Sequence, residues 1–112
     1  MAYTPKTLVN GTNLTNSAAT YYTAPASTKA IIKRATFCNN HNAAVTVTIN
    51  LVPESGSAAY GNQITKARSL AASETWSCAD VEGHVLEAGG FISMVASVTE
   101  VIGVRISGIE VS

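Results

Sequence analysis

Residues 44–52 read Ala-Val-Thr-Val-Thr-Ile-Asn-Leu-Val, and the alternation in this run decides the fold class. Val45, Val47, Ile49 and Leu51 fall on one face, while Thr46, Thr48 and Asn50 fall on the other. A two-residue period in β-branched residues marks a half-buried strand of an antiparallel sheet. Asn39-Asn40-His41-Asn42 before the run and Pro53-Glu54-Ser55-Gly56-Ser57 after it are turn-formers, so local chemistry sets both ends.

The same grammar extends in both directions. Residues 30–38 read as a long strand, with Ile31 and Phe37 on one side and Ile32, Arg34 and Thr36 on the other. Its turn leads straight into the 45–51 strand, so the two are expected to pair as a hairpin. Upstream lie an opening strand near 6–10, an Asn-Gly turn, and a second strand near 20–24 that Pro25-Ala26-Ser27 breaks. Downstream, a weaker strand at 63–69 points Lys66 and Arg68 to solvent. A turn at 71–74 then leads into 75–78, where Trp76 is the largest candidate core side chain. Residues 79–86 read as a loop or single helical turn, followed by strands at 91–97 and 103–111. In the last strand Val104 and Ile106 share a face with Ile109 and Val111 only if one residue is added between them. That predicts a bulge at Ser107-Gly108, where Gly tolerates left-handed backbone angles.

About eight short strands with turns every 8–12 residues and no amphipathic helix predict an all-β fold. The expected architecture is an antiparallel β-sandwich of jelly-roll-like connectivity. At 112 residues the chain is one domain, with residues 1–29 either joining the sandwich or serving as an N-terminal arm that reaches a neighbour. No run of about 18 apolar residues is present, so no membrane-spanning helix is expected. The first residues lack an apolar segment, so no secretory signal is expected either. Asn10-Gly11-Thr12 and Asn13-Leu14-Thr15 spell glycosylation sequons and are read as turn residues.

Charge is sparse. Asp, Glu, Lys and Arg make up 12% of the chain, against about 25% in an ordinary soluble domain, and the formal net charge is zero. Polar positions are filled by Thr, Ser, Asn and Ala instead. A surface of that kind suits a protein packed against neighbours, where every buried charge would need a partner. It carries no basic patch to neutralise phosphates, which argues against a nucleic-acid partner.

Candidate chemistry is thin. Cys38 and Cys78 stand 40 residues apart in no Cys-x-x-Cys pattern, leaving small buried thiols or a disulfide as the two readings. His41 sits among turn-forming Asn residues. His84 has Asp80, Glu82 and Glu87 nearby, yet Asp80-Val81-Glu82-Gly83-His84 matches no metal-loop spacing, so no metal and no cofactor are expected. No Gly-x-Ser-x-Gly elbow, cupin-type His-x-His or phosphate-cradling Gly run occurs, and no enzymatic activity is expected. Tyr21, Tyr22, Tyr60 and Trp76 are the aromatics that a sugar-binding groove would need; core and interface packing is the preferred use.

Several segments carry a resemblance: Tyr21-Tyr22-Thr23-Ala24-Pro25, Ala30-Ile31-Ile32-Lys33-Arg34-Ala35-Thr36-Phe37-Cys38-Asn39 and the 45–53 strand. Leu86-Glu87-Ala88-Gly89-Gly90-Phe91-Ile92-Ser93 and Val104-Arg105-Ile106-Ser107-Gly108-Ile109-Glu110-Val111 complete it. In style and order they resemble small structural proteins of tailed bacteriophages, β-sandwiches that decorate or cement the capsid or build tail and fibre-attachment parts. The resemblance implies a virion protein made in the bacterial cytoplasm, with the major capsid protein or other virion proteins as partners; the sparsely charged surface adds the expectation of a homo-oligomer. It brings no catalytic residues. Tyr21, Tyr22 and Trp76 are the expected interface anchors if exposed, and a carbohydrate-binding module is the further alternative.

Overall fold

Each strand that the alternation predicts forms in the computed structural model, which describes residues 2–112, and one more joins them. In chain order they are β1 (Tyr3–Asn13), β2 (Ala19–Thr23), β3 (Lys29–Asn39), β4 (Val45–Val52), β5 (Gln63–Leu70), β6 (Thr75–Ser77), β7 (Val85–Leu86), β8 (Phe91–Ala96) and β9 (Ile102–Val111). A single 3-10 turn, Tyr60–Asn62, interrupts the β4–β5 connection. All ladders are antiparallel. One sheet runs β1-β9-β3-β6, with β7 also on β3, and the other runs β2-β8-β4-β5. The added strand β7 has two residues, too few to show a period.

The expected hairpin between β3 and β4 does not form, because the chain changes layers at Asn39. Both edges of β3 are already taken, by β9 on one side and by β6 and β7 on the other. Asn39 is fully buried, and its side-chain amide donates to the carbonyls of Ala43 (3.0 Å), Leu70 (3.0 Å) and Ala71 (3.1 Å). Its side-chain oxygen accepts the N–H of His41 at 2.9 Å. The β3–β4 connection and the β5–β6 connection both cross between sheets, and one amide ties the two crossings together.

Bulges set which side chains face inward. β9 keeps strict alternation, so the extra residue expected at Ser107-Gly108 is not there; it lies on both neighbours at that level. Register shifts fall at Leu8 on β1, between Thr7 and Val9, and at Lys33 on β3, between Ile32 and Arg34. The β3 shift also corrects the face reading of that strand: Ile32 and Phe37 share the core, and Ile31 lies outside. Gly108 stands opposite both bulges, and a Cβ there would collide with the Ile31 carbonyl oxygen and Leu8. The Asn10-Gly11 pair, expected as a turn, is a further irregularity inside β1, with Gly11 at φ +60°.

The residues between Cys78 and β7 bridge the β3 bulge. Gly83 donates to the Ile32 carbonyl (2.6 Å), Ile32 donates to the His84 carbonyl (2.9 Å), and Cys78 donates to the Ala35 carbonyl (3.0 Å). The Glu82 carboxylate accepts the Ala35 N–H that the bulge leaves unpaired, at 3.2 Å. Buried donors left without partners cost about 1–3 kcal/mol each, so this acidic loop residue serves the sheet.

Inside, Ile32, Phe37, Val47, Ile49, Met94 and Ile106 meet between the sheets, each with essentially no exposure. Burial of such a side chain stabilises by about 1.5–3 kcal/mol, far more than any exposed ion pair of this chain. Val45, Val47 and Ile49 occupy the inner face as the alternation requires, and Leu51 comes next, half-buried at the rim. Asn50 points the other way yet is buried too. The 53–62 connection folds over it, and its amide donates to the Ala59 carbonyl (2.9 Å) and the Asn62 side chain (2.7 Å).

Replacing Asn39 by Ala leaves several buried carbonyls and the His41 N–H without that partner. The expected loss is about 2–3 kcal/mol, read from a urea melt with unchanged m-value. A loss within experimental error of zero would show that water replaces the amide.

Candidate functional site

At one end of the sandwich the gap between the sheets is closed by a three-residue bridge. Tyr22 from β2, Glu110 from β9 and Lys6 from β1 bring both layers together. The Tyr22 hydroxyl donates to Glu110 Oε2 at 2.6 Å, and the Lys6 ammonium donates to the same oxygen at 3.3 Å. Glu110 faces inward because it shares the phase of Gly108 in the alternation of β9. The Tyr22 hydroxyl, and after it Lys6, hold the Glu110 carboxyl below the usual carboxylate range, although partial burial pulls the other way. Burial first, then the hydrogen bond to Glu110 and its charge, push the Tyr22 hydroxyl well above the ordinary tyrosine value. The sequence signal for this bridge is a Glu between Ile109 and Val111, on the face where the core residues Val104 and Ile106 point.

The expected anchors occupy separate places. Trp76 is 8% exposed and packs on Phe37 with ring centroids 5.2 Å apart. The Arg68 guanidinium from β5 lies over the same indole, 4.8 Å from the ring centre, and so joins the free edges of the two sheets. Tyr21 and Tyr22 are half-buried against the core, and the Tyr21 oxygen accepts the Thr15 N–H. Tyr60, 84% exposed, lies far along the chain in the β4–β5 connection with Lys66 over its ring. Each of these rings has its own neighbour, and the four do not build one aromatic platform. Among the described residues the large exposed apolar side chains are Tyr3, Tyr60 and Val85.

Two hollows flank Glu87. One, of about 290 Å³, opens where the sheets part and is lined by Leu51, Val52, Ile64, His84, Val85 and Leu86. The other, of about 520 Å³, is lined by Thr28, Lys29, Ala88, Val111 and Ser112. Lys29 and Glu87 face each other across 3.5 Å with both side chains largely exposed. Among the described residues no group of three or more His, Cys, Asp or Glu side chains is placed to hold a metal ion. Asp80 and Glu82 belong to the segment that bridges the β3 bulge, and Glu82 is engaged there.

Both cysteines are free. Cys78 is in the core, where burial pushes its thiol up and keeps it protonated. Cys38 lies on the outer face of its sheet, paired across from Gly103 and Thr75, so the sheet itself separates the two sulfurs. Maleimide labelling of the native protein is expected to modify Cys38 alone, with Cys78 reacting only after denaturation. Rapid labelling of both would place Cys78 outside the core.

No known protein family matches the chain, and no curated protein matches it. Among solved structures it is similar in outline to a chain of infectious bursal disease virus Gt strain, at 9% identity and a TM-score of 0.47. A chain of the Gx strain gives 11% identity and a TM-score of 0.45. Both alignments cover 97% of this chain, which spans about a third of the length of those chains, 32% and 30%.

The Tyr22–Glu110–Lys6 bridge makes stability depend on pH at both extremes. Stability rises with pH wherever the unfolded chain binds more protons. Glu110, held low in the fold, contributes above the unfolded carboxylate value of about 4.3, and its contribution is lost as pH falls through the folded value. Tyr22, held high, contributes fully below about 10 and loses its contribution as pH rises beyond that value. Melting temperature is therefore expected to drop less steeply in acid for Glu110→Gln, and less steeply in alkali for Tyr22→Phe, than for the parent chain. Parallel curves for all three would show that the bridge contributes nothing to stability.

Proposed function

We propose that the chain is a non-enzymatic structural protein of a virion, and more finely a decoration or cement protein of a tailed-bacteriophage capsid. In this reading it sits across junctions of the major capsid protein, stabilises the shell, and joins other copies of itself. The observation that carries the reading is the surface chemistry: a sandwich whose exposed positions are largely Thr, Ser, Asn and Ala, in a chain with 12% charged residues overall and no formal net charge. Such a skin loses little on desolvation, because few charges must be stripped of water when it is covered. Interior polar atoms do not compete for that role, since every buried side-chain N and O among the described residues already has a partner.

The strand order supports the same reading. Sheets of order β1-β9-β3-β6 and β2-β8-β4-β5, with successive strands β1 to β4 alternating between layers, read as a jelly roll. That architecture recurs in viral shell proteins and in lectins, so it narrows the choice without deciding it. The separated aromatics weigh against the lectin-like alternative.

The test is a mass-spectrometric copy count on purified particles of the phage that encodes the chain, together with co-sedimentation of the purified chain with shells that lack it. The expected result is a copy number commensurate with the capsid lattice and saturable binding to those shells. A copy number set by tail symmetry would replace the capsid role with a tail, baseplate or fibre-associated one. Absence from the particle would overturn the virion reading.

A further inference from the structure

Charge on this chain is sorted by secondary structure. Every Lys and Arg lies in a strand, whereas each acid except Glu110 lies in a connection between strands. Most of the strand cations are already engaged. Lys6 meets Glu110, Lys29 meets Glu87, Lys66 lies over the Tyr60 ring and Arg68 over Trp76. The cations left over are Lys33, Arg34 and Arg105, none of which forms an ion pair among the described residues. The β3 bulge gathers these same residues. Under strict alternation Lys33 and Arg34 would point to opposite faces. Because the extra residue falls between Ile32 and Arg34, Ile32 and Ala35 both stay in the core, and the two cations between them both project outward. Register sets Arg34 across from Ser107 and Thr36 across from Arg105, which makes the two arginines diagonal neighbours on the outer face of β3 and β9. Diagonal positions stand about 7–8 Å apart, within reach of long side chains. All three cations are exposed, and Thr36 and Ser107 between them are short. Like charges held so close weaken a sheet, and an anion seated among them removes that cost.

We infer that this face docks a short carboxylate-rich segment of a partner protein, with Asp or Glu side chains seated among Lys33, Arg34 and Arg105. Each guanidinium offers paired N–H donors that match the two oxygens of a carboxylate, and the Lys33 ammonium adds a further charge. The surroundings set the length of the occupant. Acids bound the face at both ends: Glu74 and Glu100 lie at the Asn39 end, where their backbones bond to Asn39 and Leu14, and Glu87 stands at the Lys29 end. At the side, the Glu82 carboxylate takes the Ala35 N–H. A nucleic-acid strand carries a phosphate at every step and would run beyond the three cations onto those acids. A short acidic segment ends within them. The cations are also few for a duplex, whose binding rests on neutralising many phosphates. The inference rests on the virion reading for the partner's identity, since it names the chemistry of the surface to which the chain would bind.

NMR titration of the isotopically labelled chain with an oligoglutamate peptide at low salt tests the site, with an oligothymidylate of equal charge as comparison. The peptide is expected to shift the amides around Arg34, Thr36, Arg105 and Ser107, and the binding is expected to vanish at high salt. The double variant Arg34→Gln/Arg105→Gln is expected to bind about tenfold more weakly. Its melting temperature should be unchanged or slightly raised, because both positions are exposed and their repulsion is relieved. Lys66→Gln, on the other sheet, is expected to bind as the parent does. Absence of shifts, shifts spread evenly over all the cations, or a double variant with parental affinity would refute the inference. Tighter binding of the oligothymidylate at the same residues would refute it too, in favour of a nucleic-acid partner. So would sedimentation showing self-association that the double variant abolishes, since the chain's own acids would then be the occupant. Failure of the titration leaves the copy count and shell co-sedimentation to report on the virion role, and failure of those leaves the titration standing.

Discussion

One buried amide holds the two layers in their relation. Asn39 sits where β3 ends and the chain must cross to the opposite sheet, and its side chain bonds to carbonyls of two separate crossings. A hairpin would have been the cheaper local solution, since its loop closes over a few residues. The hydrogen-bonding needs of backbone at a buried corner decide otherwise: the carbonyls of Ala43 and Ala71 lie beyond the strand ladders there, and the amide supplies a partner to them and a further one to Leu70. Because successive strands are thereby sent to different sheets, most contacts of the fold join residues distant in sequence.

A second constraint acts at Gly108. Two neighbouring strands bulge at the same level, and the glycine lets the Ile31 carbonyl approach β9 closely. The bulges absorb the change of phase that the aliphatic pattern demands, so Val104, Ile106 and the neighbours of β9 fill the core while β9 itself stays regular. Beyond Gly108, toward the end of β9, the usual placement inverts: Glu110 turns inward to meet Tyr22 and Lys6, and Ile109 and Val111 turn outward. Core packing, the inter-sheet bridge and the outward placement of Ile109 and Val111 are three results of one local geometry.

Much of this was legible in the residues. Period-two runs such as 45–52 located the strands, and the absence of helical periodicity fixed the class. Trp76 as core and Lys66 and Arg68 as exposed came from size and charge. Pairing did not, because a turn-forming Asn39-Asn40-His41-Asn42 reads alike whether the chain doubles back or crosses layers. The bulge was detectable at Ser107-Gly108 as a fault in phase, but sequence cannot say which of three adjacent strands takes up the extra residue. Likewise Glu82 reads as a solvated loop residue until the unpaired Ala35 N–H beside it is seen. The bridge of Tyr22, Glu110 and Lys6 spans nearly the whole chain, beyond the reach of any local pattern.

If the amide fixes the two layers, the corner at Asn39 is where the body resists opening most. Native-state hydrogen exchange followed by NMR addresses this directly, amide by amide. The N–H groups of Asn39 and His41 are expected to exchange only through global unfolding, with the same free energy as the central amides of β3 and β9. Exchange at the corner through local opening, well below the global value, would contradict this and move the origin of the fold's rigidity elsewhere.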